Sequence, residues 1–131
     1  MKSLTDFITA LKTTHTSRPI YTGGRILQVQ GRIFASCNQD VSVYDLGLRT
    51  TLPKIAIDNE EIVNFCVNSL ATKIATYSQN GLLRIMDIAT GTVLQISKLN
   101  AKLFPNDMAF SKDNKYLAIG FASQLVKIFT V

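Results

Sequence analysis

The chain has 131 residues, 47% of them apolar and 18% charged, with a mean hydropathy of +0.18. That is the composition of a folded globular domain and excludes a disordered one. No window approaches 18 consecutive apolar residues, and Met1 to Ala10 holds Asp6 inside its only apolar cluster without a small-residue cleavage site. The sequence therefore points to neither a membrane span nor a secretory signal. Two cysteines, Cys37 and Cys66, and one histidine, His15, supply neither a disulfide framework nor four zinc ligands. The expectation is a reducing compartment, with no metal and no cofactor.

The net charge of +5 is unevenly spread. Residues 1–32 hold Lys2, Lys12, Arg18, Arg25 and Arg32 against Asp6 alone, while the remainder is almost neutral. A basic leader fits an anionic partner, with Lys12, Arg18, Arg25 and Arg32 as the candidate contacts; a solvated polar arm is the alternative. Within residues 1–18, Leu4, Phe7, Ile8 and Leu11 fall at helical spacing, and Ser3 and Asp6 stand in a capping relation. A short helix is one reading of this arm. Thr5, Phe7, Ile8 and Thr9 also tolerate extended geometry, so a strand completing a sheet elsewhere is the other.

Beyond the arm the chain reads as β-structure: 34 of its 131 residues are Ile, Val or Thr, and short apolar runs alternate with turn residues. A first unit, 19–58, carries Ile33-Phe34-Ala35-Ser36 and Val41-Ser42-Val43-Tyr44-Asp45. A second, 59–100, divides into strands Ile62 to Val67, Lys73 to Ser78, Leu82 to Ile88 and Thr92 to Ser97, with turns at Asn80-Gly81 and Ala89-Thr90-Gly91. A third, 101–131, carries Met108-Ala109-Phe110, a polar turn from Ser111 to Lys115, then Leu117-Ala118-Ile119-Gly120 and Val126 to Thr130, and lacks an outer strand.

The units repeat. Ala35 to Ala75 is 40 residues, Asp45 to Asp87 is 42, and Ala75 to Ala118 and Ile85 to Ile128 are both 43. A period of about 40 to 45 with paired apolar strands is that of WD-type propeller blades. Tyr44-Asp45 and Met86-Asp87 stand where such repeats place Trp-Asp, and Phe129 closes the third unit. Asn80 and Ser123 occupy the usual Asp position of the hydrogen-bonded tetrad, and the chain has no tryptophan, so the repeats are degenerate. The fold class expected is all-β: about three degenerate blades of an incomplete propeller. Such a chain reads as the N-terminal piece of a longer protein, a truncated product, or half of a propeller closed by association.

Catalytic chemistry is hard to assemble from these residues. His15 sits in a polar stretch with no acid or nucleophile tied to it by spacing. Cys37 and Cys66 fall on strands, where packing is their expected role. Gly23-Gly24-Arg25 lacks the Gly-Lys-Ser/Thr ending of a phosphate loop. Asp58, Glu60 and Glu61 form an acidic cluster that suits a solvated connection between units, with metal binding as the other reading. The repeat-spaced aromatics read as core. The expectation is a chain that is not an enzyme.

Pro19-Ile20-Tyr21-Thr22-Gly23-Gly24-Arg25, leading into Gly31-Arg32-Ile33-Phe34-Ala35-Ser36-Cys37 and Val41-Ser42-Val43-Tyr44-Asp45, resembles the N-terminal start of the transducin beta-like protein 3 family. The similarity continues through Glu61-Ile62-Val63-Asn64-Phe65 and Asp107-Met108-Ala109-Phe110-Ser111. It implies a non-catalytic WD-repeat scaffold of the small-subunit processome in the nucleolus. Its implied partners are other WD-repeat proteins and, through the basic N-terminal region, pre-ribosomal or small nucleolar RNA. Members of that family carry two propellers, a departure this length makes plain. A WD-repeat protein-interaction adaptor unrelated to ribosome assembly is the alternative.

Overall fold

The computed structural model describes residues 25–57, 61–100, 102–122 and 124–131. Lys12, Arg18, His15 and the helix-or-strand segment 4–12 lie outside them, as do Asp58, Glu60 and Ser123. Among the described residues there are eleven strands and no helix. The first antiparallel sheet has the order β1 (Ile26–Val29), β2 (Arg32–Cys37), β3 (Asp40–Asp45), β4 (Thr50–Ala56). The second is β5 (Ile62–Val67), β6 (Lys73–Ser78), β7 (Leu82–Asp87), β8 (Val93–Lys98). The third is β9 (Pro105–Phe110), β10 (Tyr116–Phe121), β11 (Val126–Thr130), three strands where the others have four. In the second unit the first two strands cover the expected residues, the third ends one residue early at Asp87, and the fourth is shifted by one.

Turn chemistry sets these registers. Gln30 and Gly31 both take positive φ, 51° and 71°, giving the two-residue hairpin whose twist matches the strands it joins. At the β6–β7 turn Gly81 has φ 83° and donates its N–H to the Ser78 carbonyl at 3.0 Å, the role its Asn-Gly setting predicts. After β3 the Leu48 N–H donates to Asp45 Oδ1 at 2.8 Å, and after β7 the Thr90 N–H donates to Asp87 Oδ1 at 3.0 Å. The repeated aspartate is a turn cap.

The ladders also correct one spacing. Arg32 pairs with Asp45, Lys73 with Asp87 and Tyr116 with Thr130, so Phe34, Ala75 and Ala118 are equivalent. The first offset along the second strands is 41, Arg32 to Lys73, and the match of Ala35 with Ala75 was one residue out of register. A one-residue slip exchanges the two faces of a strand. Ala35 accordingly lies on the side of the first sheet away from the second, with Tyr44, whereas Ala75 faces the third sheet.

Apolar residues occur on both faces of the middle sheet because each face packs on a neighbour. Phe65, Ile74 and Met86 join Phe34, Val41, Val43 and Ile55 in one core; Cys66, Ala75, Tyr77, Leu83 and Ile85 join Met108, Leu117, Ile119 and Phe121 in the other. Tyr77 meets Phe121 edge-on at 6.0 Å and donates its hydroxyl to the Leu103 carbonyl at 3.2 Å, which lets a phenol be buried there. The third sheet repeats the pattern on one side only. Its outward face presents Val126 and Ile128, 64% and 68% exposed, beside an apolar hollow lined by Ala109, Tyr116 and Ala118.

Ile85 and Ile128 are equivalent positions, the first 1% exposed and the second on that open face. Ile85→Asp places a charge between two packed sheets and is expected to cost on the order of 4 kcal/mol, abolishing soluble folding. Ile128→Asp in the same 131-residue chain should shift stability by no more than about 0.5 kcal/mol. Thermal melts of the pair check both; equal losses would refute the face assignment.

A candidate interaction groove and the joint beside it

Arg25 immediately before β1, Asn64 on β5 and Asp107 on β9 are positions that the sequence does not obviously relate. The Ser36 N–H donates to the Arg25 carbonyl, Asn64 lies opposite Tyr77, and Asp107 opposite Gly120, which makes the three residues equivalent in successive innermost strands. The Arg25 guanidinium donates from Nη1 to Asn64 Oδ1 at 2.9 Å and to the Phe65 carbonyl at 3.0 Å, and pairs with Asp107 Oδ1 at 3.1 Å. The Asn64 Oδ1 also accepts the Phe65 N–H at 2.8 Å. One side chain thus ties all three sheets together. The candidate contact Arg25 is engaged in the fold, and its partners Asn64 and Asp107 were not singled out from the sequence.

Cys66 follows Phe65 on β5. Burial pushes its thiol up from an ordinary 9.0 to about 12, with Arg25 pulling the other way and Asp107 adding to the rise. A neutral thiol in an apolar core is a packing group, not a nucleophile. No group of three or more metal-ligating side chains is placed to hold an ion among the described residues.

Arg32 stands elsewhere. It opens β2 and pairs through Nε with Asp45 Oδ2 at 3.5 Å. The Leu48 N–H is the main cause, and Arg32 a further one, holding the Asp45 carboxyl below its ordinary 3.8. Asp113, in the β9–β10 turn, is likewise lowered, chiefly by the Ser111 hydroxyl that donates to it at 2.6 Å. These two turn contacts are complete above the ordinary carboxylate range and are lost as pH falls through the depressed values. Arg32 also lines a groove of about 520 Å³ between the outer halves of the first two sheets. Its floor is Val43, Ile55 and Met86, and Lys54 of β4 stands on its rim.

Of the remaining repeat positions, Tyr44 is buried on the far face of the first sheet, Asp87 caps its turn, Asn80 is exposed in the β6–β7 turn, and Phe129 packs against the second core. The groove is a concave feature that joins an apolar floor to charged side chains.

No family model matches the chain, and no curated protein sequence matches it. Solved structures resemble it in fold. Hsv2p of Kluyveromyces lactis, a WD40 β-propeller protein, is 18% identical with a TM-score of 0.68, covering 80% of this chain and 36% of that one. Hydrazine synthase of Kuenenia stuttgartiensis is 12% identical with a TM-score of 0.67, covering 81% of this chain and 32% of that one. The chain spans about a third of each. It has an all-β, propeller-like fold of three antiparallel sheets.

Two outcomes follow. Arg25→Ala should lower the urea midpoint at unchanged slope, by an amount equivalent to about 1–2 kcal/mol of stability, the modest size reflecting partial exposure, and Arg25→Lys should recover only part of it because an ammonium on a flexible stem lacks the planar, pre-organised geometry of the guanidinium. In a Cys37→Ser background, Cys66 should resist a thiol reagent at pH 8 until the chain unfolds. Because its pKa is higher folded than unfolded, the stability it contributes is whole below pH 9.0 and declines as pH rises toward about 12.

Proposed function

We propose that the chain is a non-catalytic scaffold of three degenerate WD-repeat blades, part of an incomplete propeller. Its work is organising protein partners and pre-ribosomal RNA in the small-subunit processome of the nucleolus. The observation that carries the blade reading is the shared register of the three sheets, each opposing equivalent residues and stacked through apolar faces. The outward face of the third sheet has the same chemistry as the faces buried at the two junctions, which supports a further blade seated there. The resemblance of Gly31 to Asp45 and of Asp107 to Ser111 to the transducin beta-like protein 3 family supports the ribosomal setting. So does the excess of positive charge in residues 1–32. A core built to lock sheets, with its thiol neutral, suits a protein that holds others in place.

Purification of the endogenous protein through an N-terminal tag, followed by mass spectrometry, tests this. Other propeller proteins and ribosome-assembly factors should accompany it, and the Ile128→Asp form should be lost from the cell because a following blade covers that position. A bait that carries Ile128→Asp without loss refutes the incomplete-propeller reading. Companions unrelated to ribosome assembly leave the adaptor reading in its place.

A further inference from the structure

The groove between the outer halves of the first and second sheets carries chemistry that the packing of those sheets does not use. Its floor is apolar, with Val43, Ile55 and Met86 buried beneath it. Its charged lining, Arg32 and Lys54, is of one sign. Asp45 and Asp40 reach these cations at 3.5 and 3.8 Å from outside the lining, longer than a good charge-assisted hydrogen bond, and the Lys54 side chain is 63% exposed. Both retain donors for another partner.

The volume, about 520 Å³, lies in the range that accepts ligand side chains. Strand addition along β4 is blocked locally, because Pro53 lacks an N–H and sits where the β3–β4 register shifts between Val41 and Val43. An occupant must therefore insert side chains rather than extend the sheet. An RNA backbone would meet the two cations and leave the floor without an apolar partner. An acidic peptide bearing an aliphatic side chain satisfies both.

Resting on the scaffold reading above, we propose that this groove docks an extended acidic segment of a partner protein. One aliphatic side chain lies on the Val43–Ile55–Met86 floor, and flanking carboxylates lie against Arg32 and Lys54. The apolar contact supplies the holding energy, and the rim charges supply orientation and association rate.

The test titrates the isotopically labelled full chain with a synthetic Asp-Leu-Glu-Ile-Asp-Leu-Glu peptide and follows amide shifts by NMR. The shifts should cluster at Lys54, Ile55, Ala89, Thr90 and Gly91. Lys54→Glu should weaken binding about fivefold and flatten its salt dependence, by loss of an exposed attraction. Ala89→Phe, which fills the groove from an exposed turn position, should weaken it about tenfold with an unchanged melt. Shifts elsewhere, or equal affinity in both variants, overturn the proposal. A uridine oligonucleotide that moves the same amides and displaces the peptide overturns it in favour of RNA. If both variants still purify with ribosome-assembly factors and the peptide does not bind, this inference falls alone. If the peptide binds as expected and those factors are absent, the scaffold reading falls alone.

Discussion

The middle sheet has to be dry on both sides, and the rest of the molecule answers to that requirement. A sheet of four short strands cannot bury either of its own faces, so Ile74 and Met86 need the first sheet and Ala75, Leu83 and Ile85 need the third. At about 25 cal/mol per Å² of apolar surface removed from water, two covered faces hold what one would leave marginal. The same requirement explains why apolar residues fall on both faces of a strand and not in strict alternation, as with Leu83, Ile85 and Met86 of β7, which are buried together with Arg84 between them. It also makes register the critical variable. A slip of one residue would exchange the sides that Ile74 and Ala75 supply, and both cores would fail together.

That constraint governs what the sequence made legible. The apolar runs, the glycine turns and the repeated aspartates are local signals, and they placed the strands of the second unit within a residue. The equivalence of Phe34 and Ala75 was not legible. The hairpin between β1 and β2 is two residues shorter than its counterpart, so the offset is 39 before it, Arg25 to Asn64, and 41 after it, Arg32 to Lys73. Matching like residues bridged the change instead of following it. Arg25 was hidden for a related reason: a charge in a basic leader reads as solvated, and its two side-chain partners are 39 and 82 residues away. The groove is a property of the gap between sheets, for which no linear pattern exists.

The two basic residues thus separate into different duties although they are close in sequence. Arg25 meets Asn64 and Asp107 in a ladder of equivalent inner positions, where an arginine, an amide and a carboxylate satisfy one another at the sheet junctions. A like charge at the second or third position would repel, so the ladder also specifies which sheet follows which. Arg32 is held only loosely, and its neighbours leave room beside it.

This division follows from how the sheets diverge. Packing between sheets is closest among β1, β2, β5 and β9, near the innermost strands, and twisted sheets that touch there separate toward their outer strands. The inner region therefore holds short polar links and dense apolar contact, and the outer region between the first two sheets opens into a groove whose floor is still core. Changes at the axis act on stability because they touch every sheet. Under the proposed docking, changes at the rim of the groove act on binding and not on stability, because β4 is an outer strand and Lys54 projects from it into solvent. The proposed scaffold role would use that separation: a partner docked at the periphery would bind and leave without disturbing the residues that keep the sheets in order.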